Sequence, residues 1–303
     1  MSRRLALWAL CLYPLAFRRR YGEEMAMLIE QTPQRSLAVL DVVRGALTAH
    51  VRPPSALSGV LDPGDRVRAS ASGQLACWIV FAAAGFGFYK TTEEASFASA
   101  GDAHPLLGAA HLTVEALAIT ASAAVLIGAL PLILAALVRA RREPPLRRIV
   151  SLPPLAVALF ACLTGALAAF ARSSHPGTLG GAAFIAWGIV GLACAGVCVI
   201  AARAVLFAVP LTRRRLLVAF ACGVLVTAAM VGITLATALY AIALSLDASH
   251  LTGEPNGPLQ AISTGASLTV QLLVMVFAAA LASMSTRRGW EAARGRELGS
   301  ASN

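Results

Sequence analysis

The residues of this chain best suited to chemistry are a histidine and a glutamate one helical turn apart, His111 and Glu115. An imidazole and a carboxylate at i, i+4 share a helix face, and such a pair can help hold a metal ion or pass a proton. Three more of the five histidines, His104, His175 and His250, fall on the same side of the membrane by the topology argued below. Four outward histidines suit a metal site, a haem site or an acid sensor. The plainer reading is of polar residues at the water–lipid boundary, three of them in loops, with one spacing pair among them. That reading is preferred. His111 and Glu115 stay as the candidates for metal ligation, and no metal is expected.

Other constellations are missing from the sequence. It has no glycine loop for phosphate and no Ser-His-Asp, HExxH or CxxC pattern. The six cysteines are Cys11, Cys77, Cys162, Cys194, Cys198 and Cys222. Five lie in apolar stretches and Cys11 in the N-terminal helix, so they read as small buried hydrophobes, not a disulfide framework. Cys194 and Cys198 share a face but have no histidine or carboxylate beside them. The outward loops, near 90–111 and 247–263, can form a small cap but no catalytic domain. The chain is therefore expected not to be an enzyme, and to need no cofactor.

The elements that would position these residues follow from composition. Of 303 residues, 58% are hydrophobic and 13% charged, whereas a soluble domain carries roughly 25% charge. The apolar residues gather in six blocks, near 75–89, 117–138, 149–171, 182–202, 216–244 and 266–284. About twenty residues of helix cross the ~30 Å hydrocarbon core. Pro131 predicts a kink in the second block, and Pro153 and Pro154 are expected in the first turns of the third. Gly188, Gly191 and Ala195, with Ala228 and Gly232, predict close helix approach.

Orientation follows from Arg and Lys. The segments before the first block, between the second and third, between the fourth and fifth, and after the sixth hold 23 of the 25 basic residues. Only Lys90 and Arg172 fall on the other side. The expected fold is an all-α membrane protein with six transmembrane helices and both ends in the cytoplasm. A net charge of +10 and a pI near 10.2 would suggest nucleic acid in a soluble protein. Here they express the positive-inside bias, and nucleic acid is not an expected partner. Glu115 and Arg203 come nearest to the blocks and can snorkel to the interface. Without a mid-membrane charge, a proton- or sodium-coupled carrier is disfavoured.

Residues 1–55 read as a cytoplasmic or interfacial helical module. Leu5, Trp8 and Leu12 share a face, as do Phe17, Tyr21, Met25 and Leu28, and then Leu40, Val43 and Leu47. Breaks are expected near Pro14 and Pro33. Trp8, Leu12, Phe17, Tyr21, Met25 and Leu28 form the expected anchoring or partner face. It can lie in the inner leaflet, dock on the membrane domain, or meet a cytosolic protein. Residues 56–73 read as a linker, 74–286 as the six-helix domain and 287–303 as a cytoplasmic tail. The apolar start is broken by Tyr13-Pro14 and closed by Arg18, Arg19 and Arg20 without a small-residue cleavage site, so it reads as mature protein.

The stretch Leu12-Tyr-Pro-Leu-Ala-Phe-Arg-Arg-Arg-Tyr-Gly-Glu-Glu-Met25 resembles the opening of many actinobacterial-type polytopic membrane proteins. Related openings precede some permeases as a prefix segment. Asp41-Val-Val-Arg-Gly-Ala-Leu-Thr-Ala-His-Val-Arg-Pro53 resembles the usual continuation. Twenty-four arginines to one lysine fit a GC-rich genome of that kind. The resemblance covers about the first 55 residues and implies no activity. The large extracytoplasmic domain of the prefix-bearing permeases is missing.

Two functional expectations follow. The first is a regulatory or scaffold protein of the bacterial inner membrane whose N-terminal helices bind a cytosolic partner such as a transcription regulator. The second is the membrane subunit of an ABC-type exporter, by analogy of fold alone. It would form a homodimer and meet a separate ATPase through its basic cytoplasmic loops, at Arg141, Arg142, Arg147 and Arg148 and at Arg213, Arg214 and Arg215. The lipid bilayer is a partner in either.

Overall fold

Long runs of Ala, Leu, Val and Ile leave the backbone no hydrogen-bond partner in lipid but itself, so each run closes into a helix. The computed structural model describes residues 10, 13, 15–31, 41–42, 44–46, 63–173, 178–209, 212–254 and 263–300. The helices are α1 (Leu15–Gln31), α2 (Pro63–Thr92), α3 (Ala95–Ala103), α4 (Pro105–Ala140), α5 (Pro144–Ser173), α6 (Thr178–Ala208), α7 (Arg213–Asp247), α8 (Ser249–Gly253) and α9 (Thr264–Ser300). Short helical turns also occupy 41–42 and 44–46. Among the described residues there is no strand. Six helices, α2, α4, α5, α6, α7 and α9, are long and apolar enough to cross a membrane. The chain is a multi-pass, all-α membrane protein.

The spans outrun the apolar blocks at both ends. The 36 residues of α4 make about 54 Å of helix at 1.5 Å per residue, well beyond the hydrocarbon thickness. His111, Thr113 and Glu115 do not stop the helix, which starts with Pro105 at the first helical position after His104. Three boundaries change accordingly. The linker expected over 56–73 is helical from Pro63, with Asp65 in the first turn of α2, while 56–62 lie outside the described residues. The tail expected from 287 continues α9 to Ser300. Pro153 and Pro154 stand about three turns inside α5, because that helix starts at Pro144. There they leave the carbonyls of 149 and 150 without their usual donors.

The chain divides into two compact units, Met1–Ala69 with Ala292–Asn303, and Ser70–Glu291. In the first, Tyr13, Val42 and Ala46 are buried together, with Phe17, Met25 and Ile29 of α1 packed on them. Tyr13 stacks on Phe17 at 4.7 Å between ring centroids, and Phe17 meets Tyr21 at 5.1 Å. Gly45 makes room, since a Cβ there would strike the Tyr13 hydroxyl. Asp65 receives Arg19 at 3.2 Å and Arg68 at 3.3 Å.

The main apolar core of the second unit gathers four of its spans. It is built from Phe81 and Phe88 of α2, Leu107 and Val114 of α4, Met230, Ile233 and Tyr240 of α7, and Met275 and Ala282 of α9. Phe97 of α3 and Leu251 of α8 join it. Helices α5 and α6 give no residue to this core. None of the most apolar stretch of α6 is buried, against 44% of that of α7. They form a hairpin at the side, joined by Phe160 stacked on Trp187 at 5.1 Å and by the Trp187 indole donating to Thr164 at 2.9 Å. Of the small residues expected at helix contacts, Gly191 fits closely against Phe160 and Gly232 against Leu117, while Gly188 faces open space.

Candidate functional site

At the end of the core away from the arginine-rich turn after α4, His111 and Glu115 do meet, with Nε2 and Oε1 3.3 Å apart. Both are partly exposed, and the imidazole lies 6.0 Å from the Phe88 ring and 6.2 Å from Tyr240. Phe88 and Tyr240 meet edge to face at 5.3 Å. The histidine thus rounds off an aromatic cluster. His104 reaches Asp247 at 4.0 Å, His250 is exposed, and His175 lies outside the described residues. Among the described residues no three of His, Cys, Asp and Glu gather closely enough to hold a metal ion.

The expected partner face of α1 is turned differently. Phe17 and Met25 point into their own unit, joined there by Ile29, and Tyr21 packs beside Phe17. Leu28 is exposed, as is Met27. Trp8 and Leu12, with the first stripe, lie outside the described residues, as do Leu40, Val43 and Leu47. Val42 and Ala46 are the buried pair of that last segment. Burial raises the Tyr13 phenol above its ordinary value, and the nearby Asp41 carboxylate adds to the shift.

Only Arg141, Arg142 and Glu143 separate α4 from α5, and Arg139 pairs with Glu143 at 2.8 Å. Leu146 of α5 and Val209, just after α6, are buried together with Ala136 and Ala140. Arg141, Arg142, Arg147 and Arg148 are exposed on one flank, and Arg213, Arg214 and Arg215 are exposed at the start of α7.

Unforeseen are two polar seams between α2 and α9. Toward the arginine-rich end, Ser70 donates to the Ser285 carbonyl at 2.6 Å and Ser285 returns a bond to the Ser70 carbonyl at 3.1 Å. Beside them Gln74 donates to Thr286 at 2.7 Å, and Thr286 lies 3.0 Å from Thr227 of α7. Toward the outer end, Gln271 donates to Thr91 at 3.2 Å and to Ser267 at 2.9 Å. Small residues let the backbones close here. A Cβ on Gly73 would come within 2.8 Å of the Ser285 hydroxyl, and one on Gly87 within 3.2 Å of the Gln271 amide. One amide oxygen in each seam, Gln74 Oε1 and Gln271 Oε1, has no partner.

Polar side chains buried in spans are what hold helices to each other when lipid is as apolar as leucine. The signal for them was present in the sequence: glutamine is scarce there, and both of these border or interrupt apolar blocks. A search confined to charged residues passes over them. No protein-family model, curated protein or solved structure matches this chain.

Proposed function

We propose that the protein is a regulatory or scaffold protein of the bacterial cytoplasmic membrane whose N-terminal helical unit binds a cytosolic protein. The observation that carries this reading is on α1. Its Phe17–Met25–Ile29 face is used within its own unit, yet Met27 and Leu28 stay 56% and 61% exposed. Arg19, Arg20, Glu23 and Glu24 are exposed on the same helix. Two apolar residues among mixed charges suit a protein partner better than a lipid surface, which favours arginine alone on the polar face. The six spans hold neutral seams in place of ion-coupling charges, which supports a role without ion-coupled transport.

The test is a mild-detergent purification of the tagged full chain from its native host, with copurifying proteins identified by mass spectrometry. A stoichiometric cytosolic regulator, lost in a Met27→Glu, Leu28→Glu variant that still inserts, supports the reading. Retention of every partner by that variant refutes it. One observation favours the exporter reading in second place, the burial of Leu146 and Val209, which flank the two arginine segments, in one cluster. A stoichiometric ATPase in the same purification would select it.

A further inference from the structure

Two corners of the chain meet at the end of the main core away from the arginine-rich turn after α4. At one, the chain passes from α3 into α4 through a single extended residue, His104, with φ −120° and ψ 102°. Phe97 of α3 is buried in the core. A Cβ on Gly108 would lie 2.9 Å from the Gly101 carbonyl oxygen, so α3 folds back closely on α4. At the other corner, α7 ends at Asp247 and turns through the buried Ala248 into α8, whose Leu251 is buried in the same core.

His104 Nδ1 and Asp247 Oδ2 stand 4.0 Å apart across these corners, and each side chain is 39% exposed. At that distance a neutral imidazole makes no hydrogen bond. The two groups attract only when the ring is charged, and histidine is the side chain whose charge changes between pH 5 and 8. The His111–Glu115 pair is different on both counts. Its separation of 3.3 Å suits a hydrogen bond with or without charge, and it lies within one helix, so it joins nothing. The closing turns of α3 and α7 favour positive charge at His104, and the start of α4 opposes it. Other titratable groups border the two corners. Glu94 and Asp102 lie at the two ends of α3, and His250 and Glu254 lie on and after α8, all four exposed. Lys90, at the end of α2, is paired with Glu93, and α9 brings no charge here before Arg287.

We propose that His104 and Asp247 form an acid-sensitive clasp that holds the α3–α4 corner against the end of α7 when the imidazole is protonated. When the ring is neutral the clasp is released, and α3 lifts from the core more often. The pair therefore adds stability at low pH and loses it as pH rises through the imidazole titration. The alternation of arginines puts the clasp on the outer side of the membrane, so its state follows the acidity there. It does not depend on what α1 binds.

The test is hydrogen exchange of the full chain in phosphatidylcholine nanodiscs, read by mass spectrometry at pH 5 and pH 8. Protection factors remove the ordinary pH dependence of exchange and report local opening. The reporters are the amides of α3 and the His104 N–H, which donates to the Ala100 carbonyl at 2.9 Å. Expected is protection about two- to fivefold higher at pH 5 than at pH 8, the size of one exposed ion pair. His104→Gln and Asp247→Asn should each abolish that difference, and either decides alone should the other fail to fold. Glu115→Gln, which removes the other histidine–carboxylate pair, should leave it in place. Equal protection at the two pH values, a difference that survives His104→Gln or Asp247→Asn, or one that is lost with Glu115→Gln overturns the proposal.

Discussion

The amide of Gln74 on α2 donates to the hydroxyl of Thr286 on α9 at 2.7 Å. Because Thr286 also lies 3.0 Å from Thr227 on α7, one threonine joins three spans. Replacing Thr286 with valine keeps the shape but strands the Gln74 donor beside its already unpartnered acceptor. We expect Thr286→Val to cost about 1–2 kcal/mol, and Thr227→Val less, since Thr227 keeps no other helix's amide satisfied. Adding Gln74→Leu to Thr286→Val should recover part of the loss. Reversible unfolding in mixed micelles, run as a double-mutant cycle, measures all three.

The side hairpin offers a paired test. A Cβ on Gly191 would lie 2.7 Å from the Phe160 ring, which is fixed by its stack on Trp187. Gly191→Ala should destabilise by about 1–3 kcal/mol, as overpacking does. Gly188, one turn away, meets nothing within 4 Å. Gly188→Ala should be neutral or stabilise by up to about 1 kcal/mol through helix propensity. Thermal melts followed by thiol exposure of Cys162 and Cys194, which sit on this hairpin, separate the two.

The outer histidine should act through its ring and not through its charge partner. Glu115 is 46% exposed at its side chain, so Glu115→Gln should change stability by less than about 1 kcal/mol. His111→Ala removes contacts to Phe88 and Tyr240 and should cost about 0.5–1.5 kcal/mol beyond that. Equal effects in denaturant titrations would mean that the ion pair carries the position.

In the N-terminal unit, burial and then Asp41 hold the Tyr13 phenol above its ordinary value of 10.0. The folded state therefore keeps this proton when the unfolded chain has released it. Its contribution is complete below pH 10 and is lost as pH rises past 10 toward the folded value. Carbon-13 labelling at the tyrosine ζ position should show Tyr13 titrating above its value in urea. Tyr13→Phe should flatten the alkaline loss of structure in α1.

Orientation can be read chemically. In a cysteine-free background, Glu94→Cys, between α2 and α3, should react with a membrane-impermeant maleimide on intact cells. Arg142→Cys, in the turn between α4 and α5, should react only after lysis. The reverse pattern would invert the topology argued from the arginines.

Much of the fold was legible in the apolar blocks and the alternating arginines, because hydrocarbon thickness and the positive-inside bias act on one dimension of sequence. Helix ends were less so. Residues 63–73 look like a linker by their Pro, Gly and Ser content, yet Ser70, Gly73 and Gln74 are the small and polar side chains that α2 turns toward α9. What decides their state is a helix more than 200 residues later in the chain, and local composition carries no trace of it. The α1 stripe shows the same limit. Spacing groups Phe17, Tyr21, Met25 and Leu28, but contact with Val42 and Ala46 selects Ile29 over Leu28 as the inward residue.

The packing of α4 on α7, with the α5–α6 hairpin set aside, has a consequence for how the chain is made. About 70 residues separate Ala140 from Arg213, and at roughly 5–20 residues per second they take on the order of 4–14 s to emerge. During that interval α4 is in the bilayer without the helix that covers Val114, Ala124 and Gly128. Helices α2 and α3, already made, meet α4 through Phe88 beside His111 and Gly101 against Gly108, and α5 follows after a three-residue turn, so the hairpin that gives no residue to the main core stands beside α4 until α7 arrives.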